Sequence, residues 1–139
     1  MNFQMEQYTM DDCIFCKAVK NPHDSEMCVL GYSKNWIIVE DGFPVTKGHT
    51  LLIPKRHCEN VFQLNEEERN ELHAVIGTAK TLARARHGKI DGWNIGANCG
   101  EAAGQTIMHC HIHLIPRRNG DCENPRGGVR GVIPNKQHY

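Results

Sequence analysis

A period of two runs through residues 108–115, where histidines alternate with apolar side chains. The histidines are His109, His111 and His113, and the residues between them are Cys110, Ile112 and Leu114. Because successive side chains of a β-strand point to opposite faces, the pattern predicts a strand with one imidazole face and one apolar face. Such a strand fits a sheet that is covered on one side and lines a cleft on the other. Pro116 is expected to end it.

The remaining segments predict three more strands and two helices. Strands are expected at Trp36–Glu40, 49–53 and 93–98, and a short helix near Cys16. Asn65 and Glu68 are placed for a capping box, and apolar residues follow at helical spacing as far as Ala83. The helix is expected to run to about His87, since Gly88 is a C-terminal signal. This order favours an α+β domain with an antiparallel sheet of about five strands and helices on one face.

The chain length fits one domain. Its 139 residues divide into an expected extension at 1–11, a domain at 12–118 and an irregular tail at 119–139. Sixteen Lys and Arg balance sixteen Asp and Glu, so no general attraction to nucleic acid is expected. Neither a membrane span nor a signal peptide is recognisable, which indicates a cytoplasmic protein.

The segment before the histidine run favours a phosphate ligand. Residues 100–106 supply glycines, which let backbone approach a ligand closely, and the hydroxyl of Thr106 beside the histidines. Imidazole, hydroxyl and free backbone N–H groups together suit a phosphate group. A solvated strand face that carries histidines by chance would show the same alternation.

Two segments resemble the histidine triad (HIT) family, over residues 12–118. One is 94–117, which holds the alternating histidines, and the other is 41–55, with Asp-Gly-Phe-Pro-Val-Thr-Lys-Gly-His followed by Leu-Leu-Ile-Pro-Lys. The Gln-Thr pair before the histidines and the Pro-Arg-Arg after them resemble the bacterial HIT hydrolase and fragile-histidine-triad branches. The resemblance implies an α+β domain, usually a homodimer, that binds nucleotides and breaks a bond at the α-phosphate.

The same resemblance assigns catalytic roles to individual residues. The middle histidine, here His111, attacks phosphorus to form a nucleotidyl-histidine, which water or another acceptor then resolves. His113 contacts the phosphate oxygens. Asn98 and Thr106 match polar positions near the leaving group and the phosphate, and His49 matches a supporting histidine beside the triad. A neutral imidazole is a competent nucleophile near its ordinary pKa of about 6.5.

The nucleoside is expected nearer the first two strands. Asp41 matches the residue that accepts hydrogen bonds from the ribose hydroxyls, although an Asp before Gly also forms turns. An apolar slot for the base is expected among residues that otherwise belong to the core. The expected nucleotide contacts are Asp41, Gln105, Phe15, Ile38, Phe43 and Leu51.

A CxxC pair, Cys13 and Cys16, has three interpretations: a redox pair, a metal clasp or two buried thiols. His57 adds a third potential ligand, and Cys58 beside it is a competitor. These residues resemble the zinc site of several HIT branches, in which two cysteines, a histidine after the second strand and the first triad histidine hold the metal. That resemblance implies a structural zinc on Cys13, Cys16, His57 and His109, which leaves His111 free.

Three functions remain open from the sequence. The first is hydrolysis or nucleotidyl transfer on dinucleoside polyphosphates, phosphoramidates or related nucleotide esters, with tail arginines either reaching a polyphosphate or lying in solvent. The second is a catalytic metal on all three histidines, which spread over about 13 Å of strand. The third is a non-catalytic, zinc-stabilised module that binds a nucleotide.

Overall fold

Five strands form one antiparallel sheet in a computed structural model that describes residues 12–23 and 25–139. The strands are β1 (Cys28–Tyr32), β2 (Trp36–Glu40), β3 (Thr50–Pro54), β4 (Gly92–Gly96) and β5 (Ile112–Arg117). Their order is β1-β2-β3-β5-β4, and the helices are α1 (Ile14–Lys20) and α2 (Glu66–His87). The α+β class and the strand number are confirmed, and the extension expected at 1–11 lies outside the described residues.

Helix α2 begins and ends where its capping signals predict. The Asn65 side chain accepts from the Glu68 backbone N–H at 2.9 Å, and the Glu68 carboxylate accepts from the Asn65 N–H at 2.8 Å. Gly88 follows the last turn with a φ of 76°, a left-handed value that glycine adopts without steric cost. Glu68 is buried and also pairs with Arg56 at 2.9 Å, so the start of α2 is fixed to the segment after β3.

One face of the sheet packs on α2. Val75 and Ala79 of the helix lie in a buried cluster with apolar residues from three strands. The apolar members of the histidine run belong to this cluster, so the predicted apolar face is confirmed. The sheet residues in it are Trp36, Ile38, Leu52, Ile112 and Leu114, and Cys110 joins them from the segment just before β5.

Helix α1 covers the opposite face, so the expectation that the helices share one face is wrong. Its residues Phe15 and Ala18 pack in a second buried cluster with alternate residues of β2 and β3. Those two strands are apolar at nearly every position, and a strand of that composition has to be covered on both sides. The sheet residues in this cluster are Ile37, Val39, Leu51 and Ile53.

Strand β5 differs from the strand expected at 108–115. Residues 107–109 form a bend, and regular pairing begins only at Ile112. Pro116 lies inside β5 because pairing with β3 stops at Leu114, so the missing N–H of Pro116 is not needed by β3. Strand β1 had no counterpart among the individual strands expected.

The tail at 119–139 contains two short 3₁₀ turns, Gly128–Val132 and Pro134–Lys136. The first turn lies against β4, where a Cβ on Gly128 would approach the Asn94 side-chain amide to 3.2 Å. This contact places the tail beside the histidine end of the sheet. Among the described residues, no helix is long and apolar enough to cross a membrane.

Candidate active site and metal centre

The three alternating histidines lie in a row on the α1 side of the sheet. The Phe15 ring of α1 contacts the first two, with ring centroids 5.7 Å from His109 and 5.0 Å from His111. The rings of His111 and His113 follow at 5.3 Å. Only His113 belongs to regular strand β5, whereas His109 lies in the bend at 107–109 and His111 in the irregular segment between the bend and β5.

The first histidine of the row joins a cluster of potential metal ligands. One ligand atom from each of Cys13, Cys16, His57 and His109 lies within 4.8 Å of the others. The Nδ1 atom of His57 is 3.2 Å from the Cys16 Sγ, and the Nδ1 atom of His109 is 3.4 Å from the Cys13 Sγ. We call these four residues the thiol–histidine cluster.

Local structure aims the cluster residues at one point. Cys13 is the N-cap of α1, and the Cys16 backbone N–H lies 3.5 Å from the Cys13 sulfur, so both thiols face the same side. The Nε2 atom of His109 lies 2.7 Å from the Pro54 carbonyl oxygen and donates to it, which leaves the lone pair of Nδ1 facing the sulfurs.

The donor chemistry of the cluster fits a soft divalent cation. Burial and the adjacent Cys13 thiol raise the pKa of Cys16 to about 12, and burial lowers the pKa of His109 to about 4. Two sulfurs and two imidazole nitrogens at these separations match a tetrahedral zinc site. Cys58, the competing candidate, lies in the core cluster that faces α2.

The second and third histidines line an open cavity of about 700 Å³, which we call the histidine cavity. The Nδ1 atom of His111 lies 2.9 Å from the His109 carbonyl oxygen, so the proton of a neutral ring is on Nδ1. The lone pair is then on Nε2. His111 therefore has a nitrogen with nucleophilic character in a ring that lines a solvent-accessible cavity.

A chain of hydrogen bonds fixes the opposite tautomer for His113. The Val45 backbone N–H donates to the Nδ1 atom of His49 at 3.0 Å, so the His49 proton is on Nε2. That Nε2–H is 2.9 Å from the Nδ1 atom of His113, and the Asp41 carboxylate is 3.4 Å away. His113 thus accepts at Nδ1 and presents its own proton at Nε2.

Burial favours the neutral form of the two imidazole rings in this chain of hydrogen bonds, those of His49 and His113. It lowers the pKa of His113, with the neighbouring His111 and His49 acting in the same direction and Asp41 opposing them. It also lowers the pKa of His49, again against Asp41. His113 can therefore donate a hydrogen bond without carrying a charge.

Most of the expected contacts surround the histidine cavity. Asp41 lines it, and its carboxylate also accepts from the Phe43 N–H at 2.8 Å, so the turn-forming interpretation of Asp41 is present as well. Side chains of differing polarity complete the wall. The expected residues whose side chains complete this wall are Phe15, Phe43, His49, Leu51, Asn98 and Thr106.

Two expected nucleotide contacts lie elsewhere. Ile38 is buried in the cluster that faces α2, because neighbouring residues of β2 point to opposite faces and Ile37 and Val39 take the α1 side. The buried Gln105 amide accepts from the Gly100 N–H at 2.8 Å and donates to the Glu59 carbonyl at 2.6 Å. Gln105 therefore orders the loop before the histidines and does not line the cavity.

Several lining residues were not expected. Ile14 and Ile107 approach the cavity from the sides of α1 and the loop, and Met27 comes from the segment just before β1. The uninterrupted apolar run from Met27 to Leu30 is a usable signal for β1, and it would have brought Met27 into consideration. Ile14 is harder to recognise, because in the sequence it is only one of the two residues between the cysteines of the CxxC pair.

A single metal on all three alternating histidines is not supported. Among the described residues, His109 groups with the thiols, and His113 groups instead with Asp41 and His49. In that second group the nitrogens of His49 and His113 are 2.9 Å apart and joined by a hydrogen bond. The row is therefore divided between two environments.

Comparison with known proteins agrees with this arrangement. The HIT domain model matches residues 23–120. A crystal structure of a zinc-bound histidine triad family protein from Mycobacterium smegmatis is similar, with a TM-score of 0.69 and 37% sequence identity. The match covers 81% of this chain and 79% of that one.

Curated relatives give the same family. Protein hit from Bacillus subtilis is 38% identical over 110 residues, which are 77% of this chain and 72% of that protein. Adenylylsulfatase HINT3 from Arabidopsis thaliana is 32% identical over 120 residues, 81% of this chain but 55% of that protein. The chain therefore belongs to the HIT domain family, a group of nucleotide-binding hydrolases and transferases.

Proposed function

We propose that this protein cleaves nucleotide substrates at the α-phosphate through a covalent nucleotidyl-histidine on His111. The observation that carries the proposal is the hydrogen bond from the His111 Nδ1–H to the His109 carbonyl. It holds the ring in the tautomer whose Nε2 lone pair is available for attack, as an activated nucleophile requires. Products are a nucleoside monophosphate and the released group, or a transferred nucleotidyl group.

The first step forms a bond between the His111 Nε2 and phosphorus while the bond from phosphorus to the leaving group breaks. The leaving group departs with the bonding electron pair and takes up a proton from solvent. The positive charge that develops on the imidazole is stabilised by the His109 carbonyl, which already accepts from Nδ1. Water then attacks phosphorus, and neutral His111, a proton and the monophosphate are released.

His113 and His49 support this step without being attacked themselves. The Nε2–H of His113 donates to a phosphoryl oxygen, because its Nδ1 atom already accepts a hydrogen bond from the His49 Nε2–H. Thr106 and Asn98 line the same cavity and offer further donors to the phosphate and the leaving group. Phe15, Phe43 and Leu51 form the apolar part that receives the base, and Asp41 receives the ribose hydroxyls.

The nucleotide is proposed to be an adenylyl group. One relative carries the name adenylylsulfatase, which is consistent with an adenylyl substrate for this chain. Diadenosine polyphosphates, adenosine phosphoramidates and related adenylyl esters all present the same α-phosphate to His111. Turnover of a panel that varies only the leaving group distinguishes them.

Zinc in the thiol–histidine cluster belongs to the same proposal, with a structural role. Four protein ligands leave no open coordination position for water or substrate. A bound zinc ion supplies no chemistry to the reaction and stabilises the contact between α1 and the segment before β5. The homodimer that the family resemblance implies is also proposed, because β4 pairs only with β5 in the described residues and its outer edge offers a surface to a second copy of the chain. The mass of the protein in solution tests this.

The covalent intermediate can be detected directly. The protein is mixed with an adenylyl substrate, denatured within milliseconds at alkaline pH, where phosphorus–nitrogen bonds of histidine survive, and analysed by intact-protein and peptide mass spectrometry. An adenylyl group on the peptide that contains His111 is expected, and it is absent in His111→Asn. His73→Asn, a change of an exposed histidine on α2, is the matched control and keeps the adduct.

Two results would overturn the proposal. One is an adduct on a residue other than His111. The other is the absence of both adduct and turnover across the substrate panel, which favours a module that binds nucleotides without cleaving them.

A further inference from the structure

The loop between β2 and β3, residues 41–49, controls the pair of histidine rings that ends at His113. The Val45 N–H of this loop fixes the proton of His49 on Nε2, and His49 in turn donates to His113. Two backbone hydrogen bonds close the loop on itself, from the Asp41 N–H to the His49 carbonyl at 2.9 Å and from the His49 N–H to the Thr46 carbonyl at 3.1 Å. The position of the Val45 N–H therefore depends on what holds the turn at 45–48.

Thr46 fastens this turn to a neighbouring strand. Its hydroxyl donates to the Pro116 carbonyl oxygen of β5 at 2.5 Å. Pairing between β3 and β5 stops at Leu114, so that carbonyl lies beyond the paired part of β3 and can accept from the loop. Thr46 is not a wall residue of the histidine cavity, so it acts on the site through the backbone that it holds.

Two further features keep the turn close to β5. Gly48 has a φ of 95°, and a Cβ there would lie 3.1 Å from the His87 Cδ2 and 3.2 Å from the Pro116 Cγ. Glycine therefore lets the chain pass closely between the end of α2 and β5 at this point. Arg118 donates to the Lys47 carbonyl at 2.7 Å and is a second anchor of the same turn.

The tautomer of His49 decides what His113 can offer to a phosphate. If the Val45 N–H moves away, the proton of His49 can occupy Nδ1, and its Nε2 then accepts instead of donating. His113 then has to place its own proton on Nδ1 to keep the hydrogen bond between the two rings. The Nε2 atom of His113 is left with a lone pair, which repels a phosphoryl oxygen instead of donating to it.

We propose that Thr46 is a positioning residue for the reaction: its hydroxyl holds the Val45 N–H against His49 and thereby keeps the proton of His113 on Nε2. The inference rests on the proposed function, because it places Thr46 behind the donor that His113 supplies to the phosphate. Thr46 itself touches no reacting atom.

Kinetics of two variants of Thr46 give the first test. Thr46→Val keeps the shape of the side chain without the hydroxyl, and its kcat for an adenylyl substrate is expected to fall about 10-fold, with KM close to the wild-type value. Thr46→Ser keeps a hydroxyl and is expected to recover most of kcat. Thr81→Val removes a hydroxyl that bonds to the Gly77 carbonyl of its own helix and is the matched control, with wild-type kinetics.

A double-mutant cycle shows whether Thr46 acts through His49. In the His49→Leu background there is no Nε2–H left to position, so adding Thr46→Val is expected to lower kcat no further. Two independent losses that multiply would show that Thr46 acts on the reaction by another route.

The tautomer can be measured without substrate. In protein with ¹⁵N-labelled histidine at neutral pH, long-range proton–nitrogen correlation spectra distinguish a ring protonated at Nε2 from one protonated at Nδ1, and His49→Leu identifies the signals of His49. The wild type and Thr46→Ser are expected to carry the His49 proton on Nε2. Thr46→Val is expected to show the Nδ1 form or a mixture of the two.

The outcomes separate this inference from the proposed function. Wild-type kcat in Thr46→Val, a change in KM alone, or an unchanged His49 tautomer overturns the role of Thr46 and leaves the proposed function standing. Absence of turnover and of adduct in the wild-type protein overturns the proposed function, and the role of Thr46 in the reaction with it. The spectra then still decide whether Thr46 sets the tautomer of His49.

Discussion

The two ends of the histidine row differ in burial, in neighbours and in the ring nitrogen that is free. At one end His109 is fully buried and turns its Nδ1 toward two thiols and His57. At the other end His111 and His113 are partly exposed and line a cavity. His109 and His111 are thus only two positions apart, but the environment of His109 suits metal binding and that of His111 suits reaction with phosphorus.

The difference shows that the partner of one nitrogen decides what the other can do. A carbonyl at Nε2 of His109 frees its Nδ1 for a cation, and a carbonyl at Nδ1 of His111 frees its Nε2 for attack. For His113 the partner is an N–H, so the free nitrogen carries a proton instead. The predictions below test this division of roles.

The sharpest test is His111→Asn. We expect kcat/KM for an adenylyl substrate to fall by at least about 10⁴-fold, because no attacking nitrogen remains. Metal content, measured by plasma mass spectrometry on the same preparation, stays at the wild-type level. If the variant loses its metal together with its activity, the division between the two ends of the row is wrong.

The converse test changes the other end. Cys16→Ser is expected to lose the metal and to lower the free energy of unfolding by about 4 kcal/mol, measured by urea denaturation. Its folded fraction still turns over substrate, since no cluster residue contacts the phosphate. Cys122→Ser, at an exposed cysteine outside the cluster, serves as control and keeps both metal and stability. Equal stability of Cys16→Ser and wild type would argue against a bound ion.

A smaller effect is expected where His49 supports His113. His49→Leu removes the proton donor at the His113 Nδ1, so the ring is no longer held with its proton at Nε2. We expect kcat/KM to fall about 10- to 100-fold. His49→Gln, whose amide can still donate, is expected to recover part of this loss. Identical kinetics for the two variants would mean that His49 acts only through packing.

The smallest effect concerns pH. Because the folded state lowers the pKa of His113 and His49, the unfolded chain binds protons first as pH falls below about 6.5. Stability is therefore fully present above this pH and declines as pH falls toward the lowered values of the folded state. Urea denaturation at pH 7.5 and 5.5 should show a smaller pH-dependent loss for His113→Asn than for wild type, and an equal loss would contradict the assignment.

Features with local causes could be predicted from sequence. Helix α2 has the predicted bounds because its capping box and its terminal glycine act within a few residues of each end. The apolar side of the histidine run was predictable for a similar reason, since strand alternation is a local property. The four residues of the thiol–histidine cluster were identified together only through the family resemblance.

Features decided by distant packing could not be predicted. The bend at 107–109 is stabilised by contacts such as the Gln105 amide with Glu59, which no local pattern in the sequence indicates. Ile38 lies on the face of β2 that meets α2. Because β2 is apolar on both faces, its sequence does not indicate which face meets α1. The stacking of the tail arginines on Tyr139 likewise joins residues whose proximity is set by the turns between them.

The contact between Cys13 and His109 has a consequence for the order in which the molecule is built. These residues are separated by 96 positions, so α1 leaves the ribosome long before His109 has been synthesised. Closing a loop of that length costs about 4 kcal/mol in chain entropy. We therefore expect the thiol–histidine cluster to be completed late, after α1 has packed on β2 and β3, which are nearer to it in sequence.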